Sequence, residues 1–428
     1  MMEKIKKDVQ YYKFCMYGFI KNLQFFDPYL LLFFIESGIS YFQIGILFGV
    51  REICTNVLEI PTGVVADSFG RRKAMMAAFG AYILSFLVFY FYPGFGMYIF
   101  AMVLFAFGEA FRSGTHKAMI LDYLKRNKLE DQKVHYYGHT RSWSQRGSAL
   151  SALIAAALVF SFQAYRTVFL FTAIPYVFGF FLIRSYPRYL DFSVDRNNPE
   201  ERSPSETEAG LYRRIKMKTV FAVNRTLEEF RGLLQSRKLR YLFLNSSIYD
   251  GVFKTSKDYI QPVMKSLALS LPVLMALTDQ RRIAVVVGFL YFVLYVFTSI
   301  VSQYSGLVAE KFKSQMTGLN TVYLLSIGVL LAVGLSMRYN AFLPGVIIFI
   351  GFYILQNVRR PMTLGYISEN IKGSVMATGL SIESQLKTLV VTVLAPLFGA
   401  LADTVGLEWA FCVIALLLLS VYPKLRVR

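Results

Sequence analysis

Ionisable residues recur inside the long apolar runs of this chain, at spacings regular enough to do chemistry. Glu52, Asn56, Glu59 and Gly63 follow one another by four, three and four residues. Glu109, Arg112 and His116 step by three and four, with Lys117 beside them and Asp122 further on, and Asp250, Lys254 and Asp258 step by four. In a helix each set occupies one face, and opposite charges four apart can partner. Lys21 with Gln24, Arg51 with Glu52, and Gln356 with Arg359 complete the group. A charge at the centre of a membrane helix costs about 2.5–3.5 kcal/mol on insertion scales, so each needs a partner or a wet path. The chemistry implied is ion pairing, solute binding and proton relay. Pairing between helices explains any one residue as readily as a pathway does. Glu59, Arg141 and Arg146, near helix ends, favour the structural role; Glu109, Arg112, Asp250 and Lys254 favour the functional one. An imidazole titrates near neutral pH, but Arg112 and Lys117 oppose a charged His116, so a neutral hydrogen-bonding histidine is expected.

The elements that carry these residues must be membrane helices. Of 428 residues, 55% are hydrophobic and only 17% charged, too apolar for an ordinary soluble protein. At roughly 20 residues per crossing there is room for on the order of 12 spans. The apolar runs are continuous and do not alternate, which excludes a porin-like barrel. The net charge of +19 gathers in alternate loops, so it reports topology and gives no reason to expect nucleic acid. Cys15, Cys54 and Cys412 are odd in number, widely spaced and in apolar runs, so neither a disulfide nor a zinc site is expected. There is no metal cluster, nucleophilic triad or phosphate-cradling loop. No cofactor, metal or catalytic residue is therefore expected, and ATP hydrolysis by this chain is disfavoured. His135 and His139 fall in or near a loop without catalytic partners, which leaves a lipid-modifying enzyme the weakest reading. The basic start, Met1 to Lys13, reads as a retained first helix.

Apolar windows place helices at 11–35, 41–66, 74–92, 96–123, 141–162, 166–186, 240–264, 283–307, 317–337, 342–366, 375–401 and 408–424. The fold class is all-α: a polytopic membrane protein of twelve transmembrane helices in two pseudo-symmetric six-helix bundles, 1–186 and 240–428. Lys and Arg occupy every second connection, from Lys4, Lys6 and Lys7 to Lys424 and Arg428, which sets both termini and the 187–239 segment in the cytoplasm. Arg281 and Arg282 break that alternation. Asp195 to Ala209 reads as a solvated linker. Val220, Val223, Leu227, Phe230 and Leu234 then suggest an amphipathic helix on the cytoplasmic face.

Between the second and third windows stands Gly63-Val64-Val65-Ala66-Asp67-Ser68-Phe69-Gly70-Arg71-Arg72-Lys73, a helix that leaves the bilayer and turns sharply at Gly70. This Gly-x3-Asp-x2-Gly-Arg-Arg pattern resembles motif A of the major facilitator superfamily. A degenerate copy, Gly306-x3-Glu310 with Lys311 and Lys313, follows the eighth window, and such repeats are expected of secondary transporters. Gly63 would permit close helix approach, and Asp67 with Arg71 an inter-helix charge cluster. Gly63, Asp67, Gly70, Arg71 and Arg72 are therefore assigned to gating. Glu59-Ile60-Pro61-Thr62-Gly63 and Glu109-Ala110-Phe111-Arg112-Ser113-Gly114-Thr115 are similar to a bacterial branch of efflux or multidrug permeases. The resemblance implies that the first, fourth, seventh and tenth helices line a central cavity. That would bring Lys21, Gln24, Glu109, Arg112, Asp250, Lys254, Gln356 and Arg359 to its wall. The fifth helix lacks the Gly-Pro motif of drug–proton antiporters, since Gly147 to Ala157 contains no proline.

The expected function is secondary active transport of a small organic solute across the cell membrane by alternating access, coupled to protons through Glu109, Glu52 or Asp250, with efflux as the direction the branch suggests. Lys21, Arg51, Arg112, Lys254 and Arg359 outnumber Glu52, Glu109 and Asp250, which points to an anionic or zwitterionic solute. The expected partners are that solute, a proton and the bilayer, with the chain a monomer. The alternative is a non-transporting sensor or scaffold of the same fold.

Overall fold

The structure is a computed structural model that describes residues 7–192, 237–312, 314–370 and 376–427, together with Met217, Val220 and Glu228. The chain is helical, and no strand occurs among the described residues. The helices are α1 Val9–Lys21, α2 Leu30–Glu36, α3 Tyr41–Phe69, α4 Arg71–Phe91, α5 Phe95–Arg112, α6 Thr115–Arg126, α7 Lys133–Phe162 and α8 Thr167–Arg184. After the linker come α9 Arg237–Ser256, α10 Ile260–Ser270, α11 Asp279–Glu310, α12 Gln315–Arg338, α13 Phe342–Asn370, α14 Met376–Val405 and α15 Leu407–Leu425. Among the described residues, nine stretches are long and apolar enough to cross a membrane. Large apolar side chains such as Phe178, Ile347 and Val393 are exposed on them, as expected of surfaces that face hydrocarbon.

The all-α polytopic architecture is as expected, but the expected spans 11–35, 96–123 and 240–264 are not continuous helices. The first divides into α1 and α2 around a 3-10 turn at Asp27–Tyr29. The fourth breaks between Arg112 and Thr115, where Gly114 takes φ +76°, a conformation glycine adopts freely and other residues rarely. The seventh passes through a 3-10 turn at Lys257–Tyr259 between α9 and α10. The apolar window 41–66 is a single helix, α3, but it carries Arg51, Glu52 and Glu59 and falls below the apolarity of a simple span. Hydropathy averages over such breaks, which is why they are invisible to it.

The chain forms two compact units. Unit 1 comprises Met1–Phe25, Cys54–Ser151 and Arg166–Arg225, and unit 2 comprises Phe26–Ile53, Ala152–Tyr165 and Thr226–Arg428. In unit 1, α4 packs on α5 and α8. Aromatic residues fill that layer, with Tyr176 edge-on to Phe86 at 4.9 Å and Tyr82 to Phe105 at 5.1 Å, geometries that suit the ring quadrupole. Ser85 Oγ donates to the Ala101 carbonyl at 2.7 Å, a polar contact with no water to compete for it.

In unit 2, α9 packs on α14, and α12 on α13 and α15. Gln261, fully buried, accepts from the N–H groups of Leu31 at 2.9 Å and Leu32 at 3.4 Å and donates to the Asp27 carbonyl at 2.9 Å. A helix start leaves unpaired N–H groups; here a side chain from α10 satisfies those of α2. Arg282, the exception to the charge alternation, is buried and donates to the carbonyls of Leu269 at 2.6 Å and Leu271 at 3.1 Å. It caps the end of α10, so its charge serves the fold locally.

Met217, Val220 and Glu228 are helical and exposed. The rest of the expected amphipathic helix lies outside the described residues, as do the side chains of Gly306 to Glu310 and of His135, and all of Lys313 and Lys372.

Candidate functional site

In unit 1, Glu109 and Arg112 on α5 form an ion pair. Arg112 Nη2 meets Glu109 Oε2 at 2.5 Å, with the two side chains 22% and 23% exposed. Tyr82 Oη donates to Glu109 Oε1 at 2.5 Å and accepts from Arg112 Nε at 3.1 Å. The carboxylate is thus held by a guanidinium and a phenol from α4, a charge-assisted triangle. Lys21, in the last turn of α1, is within electrostatic reach of Glu109. Its carbonyl accepts from Tyr176 Oη at 2.8 Å, and Gln24 Nε2 donates to the same phenol oxygen at 2.9 Å. Tyr82 and Tyr176 are the members sequence spacing missed: an aromatic residue in an apolar run gives no polar signal.

The helix breaks at Gly114, yet His116 stays within electrostatic reach of Arg112, whereas Lys117 does not join the group. His116 is buried and stacked on Tyr17 at 3.6 Å, with Nε2 3.3 Å from Tyr186 Oη, whereas Lys117 is exposed. The stacked setting suits the uncharged imidazole that the sequence suggested. His139 is exposed and pairs through Nδ1 with Tyr11 Oη at 2.8 Å.

The motif at the α3–α4 turn forms a charge cluster in unit 1. Arg71 meets Asp67 at 3.2 Å and also Asp122 on α6. The backbone N–H of Arg72 donates to Asp191 Oδ1 at 3.0 Å, and its guanidinium reaches Asp191 at 3.5 Å and the Tyr186 carbonyl at 3.1 Å. Gly70 has φ +106°, and a Cβ there would sit 3.4 Å from the Asp191 carboxylate. Gly70→Ala is expected to cost about 1–3 kcal/mol through backbone strain, read as a lower thermal midpoint of the purified protein. At Gly63, no atom of the described residues lies within 4 Å of a Cβ built there.

In unit 2, Lys254 Nζ meets Glu52 Oε2 at 2.5 Å, and Arg51 Nη2 meets Glu52 Oε1 at 3.4 Å. The Glu52 side chain is 9% exposed and that of Lys254 33%. Spacing on one helix predicted that Lys254 would partner Asp250 or Asp258. It does neither, because Asp258 pairs with its neighbour Lys257 at 3.0 Å and Asp250 accepts from Gln356 Nε2 at 3.1 Å. Lys387 on α14, absent from the sequence-based set, is close enough to act electrostatically on both Glu52 and Lys254. Its spacing to Glu383 on the same helix is that of an in-helix pair, which gives no indication of a contact with α3 or α9.

Arg359 is not on an accessible wall as expected. It is 1% exposed, with Nη1 donating to the Leu319 carbonyl at 2.6 Å, Nη2 donating to Asn245 Oδ1 and the guanidinium 4.1 Å from the Tyr249 ring centroid. It binds α13 to α9 and α12, and the cation–π contact compensates part of its desolvation. The nearby Glu383 of α14, also missed, accepts from Ser246 Oγ at 2.5 Å.

These arrangements can hold charge inside a helical membrane protein and hand it between partners. No group of His, Cys, Asp and Glu suited to a metal ion occurs among the described residues. The profile of the Major Facilitator Superfamily matches residues 14–384. The chain belongs to this superfamily. It is 21% identical over 409 residues to the uncharacterized MFS-type transporter YxaM of Bacillus subtilis (strain 168), covering 94% of this chain and 92% of that protein. Its fold is similar to that of the nucleoside transporter NupG, with a TM-score of 0.73 at 9% identity over 98% of each chain. It is also similar to a POT family transporter solved in complex with 5-aminolevulinic acid, at 0.68 and 15% identity over 97% of this chain and 96% of the other. The family and the fold are those of transporters, and the chain is a multi-pass membrane protein of that class.

Proposed function

We propose that this protein is a secondary active transporter that moves a small anionic or zwitterionic organic solute by alternating access, driven by protons. The observation that carries the reading is the Lys254–Glu52 contact at 2.5 Å, flanked by Arg51 at 3.4 Å and with Lys387 in electrostatic range. One carboxylate among three cations leaves a local excess of positive charge in a helical, lipid-facing protein, and such an excess invites an anion. Lys254 is more accessible than Arg51 or Glu52 and is the natural contact for a solute carboxylate or phosphate, with Glu52 holding it in the interim.

The expected bundles 1–186 and 240–428 serve as the rocking halves, and the Asp67–Arg71–Asp122 and Arg72–Asp191 contacts steady one gate conformation. Sequence-level proton candidates were Glu109, Glu52 and Asp250. The first two are held in tight ion pairs, which favours Asp250, whose partner is a neutral amide. The setting is a cell membrane with both termini in the cytoplasm, and the direction suggested by the related branch is efflux.

Thermal shift of the detergent-solubilised chain tests the charge argument. Succinate, glutamate or glucose 6-phosphate is expected to raise the midpoint, and Lys254→Gln to abolish the rise. Stabilisation by tetraphenylphosphonium alone would overturn it.

A further inference from the structure

We propose that Glu383, acting with Asp250, is the proton-binding carboxyl of unit 2. The proposal deepens the proton-coupled reading above and rests on it for its role, but the site stands on contacts of its own. Glu383 lies where α14 meets α9. Ser246 Oγ donates to Glu383 Oε1 at 2.5 Å, and Ser247 Oγ donates to the Glu383 carbonyl at 3.2 Å. Asp250 follows Ser246 by four residues on α9, so it lies on the same helix face one turn along. Gln356 Nε2, its partner from α13, is 3.1 Å away.

Glu383 and Asp250 differ from the other acids of the candidate site. Among the described residues no Lys or Arg nitrogen lies within 4 Å of either, while Glu109 and Glu52 are each held at 2.5 Å by Arg112 and Lys254. A cation in contact favours the ionised carboxylate, steeply so where the dielectric is low. Protonating Glu52 or Glu109 would forfeit that attraction and leave a partly buried cation without its partner. A hydroxyl partner favours the carboxylate less than a cation in contact does, and Ser246 can donate to a carboxylate and accept from a carboxylic acid. Glu383 can therefore change charge without losing its hydrogen bond. Asp250 lies close enough to act on Glu383 electrostatically as a second carboxyl.

The surrounding cations moderate this site without locking it. From α13, Arg359 and Arg360 face it, and from its own helix Lys387, with Lys254 of α9 beyond Asp250. Arg359 commits its guanidinium to Asn245 and the Leu319 carbonyl, and Arg360 is exposed. Lys387 is four residues from Glu383, the spacing of an in-helix pair, yet no contact within 4 Å forms between them. Protonation adds an O–H donor to Glu383, which lets the Ser246 hydrogen bond at the α9–α14 contact run in either direction. The packing of two helices thereby becomes sensitive to a proton.

The test is pH-difference infrared spectroscopy on the full chain in liposomes, which reads the C=O stretch of a protonated carboxyl and needs no solute. Wild type is expected to show a pH-dependent carboxyl band. Glu383→Gln is expected to lose it and Glu383→Asp to keep it at a displaced frequency, with circular dichroism checking that each variant is folded. A folded Glu383→Gln protein with the band unchanged would overturn the proposal, as would loss of the band in Glu52→Gln with retention in Glu383→Gln. Because no transport is measured, failure here leaves the transporter reading intact. A pH-insensitive flux in a protein that still shows the Glu383 band would instead count against proton coupling.

Discussion

Arg112→Gln is expected to destabilise the protein by about 3 kcal/mol, at the low end of the range for breaking a buried pair because both side chains keep some solvent. The substitution leaves Glu109 with Tyr82 Oη as its hydrogen-bond donor and removes the guanidinium that faces both oxygens. The double variant Glu109→Gln, Arg112→Gln should be more stable than Arg112→Gln alone, since two amides can hydrogen-bond to each other and to Tyr82 with no charge to desolvate. Thermal midpoints of the four proteins give the coupling energy directly. If the double variant is as unstable as the sum of the two single ones, the pair does not act as a unit, and Glu109 draws its compensation from Lys21. The same comparison bears on function: a pair held this firmly is a fixed part of the unit 1 interior and a poor proton carrier.

What could be read from the sequence follows from what each residue type announces. Membrane class, the absence of strands and the α3–α4 turn at Gly70 were legible because apolar runs and a glycine ahead of two arginines are local signals. The Glu109–Arg112 pair was legible for the same reason, being three residues apart within one helical turn. Partners from other helices were not. Lys254 has acids four residues away on either side and takes neither, because Glu52 on α3 is presented to it by packing that no spacing rule encodes. The resemblance implied a cavity position for Arg359, yet Asn245, Leu319 and Tyr249 enclose it. Gly114 shows what spacing rules omit: they assume a continuous helix between Arg112 and His116, and φ +76° interrupts it although the two stay within electrostatic reach. Glu383 and Lys387, four residues apart in an apolar helix, carry the same kind of signal as the other charged sets, but their spacing points to each other and not to the α9 and α3 residues they face.

The breaks in the helices depend on side chains that satisfy the freed backbone, and Gln261 is where that dependence is greatest. Gln261→Met, close in volume but without the amide, is expected to lower stability by about 3 kcal/mol or more, since a buried unpaired donor or acceptor costs about 1–3 kcal/mol. It would strand the Leu31 N–H and the Asp27 carbonyl together and weaken Leu32 and Tyr291. Tyr29→Phe in the same unit deletes one hydrogen bond, to the Ala284 carbonyl at 2.7 Å, and should cost only about 1 kcal/mol. Thermal unfolding of the two variants beside wild type gives the ranking. Equal losses would mean that water reaches the start of α2 and replaces the amide. In that case the turn between α1 and α2 would be a solvated loop, with Gln261 one of several donors. A loss several-fold larger for Gln261→Met would instead identify the amide as the element that lets this helix start in the interior, where lipid and protein offer its N–H groups nothing else.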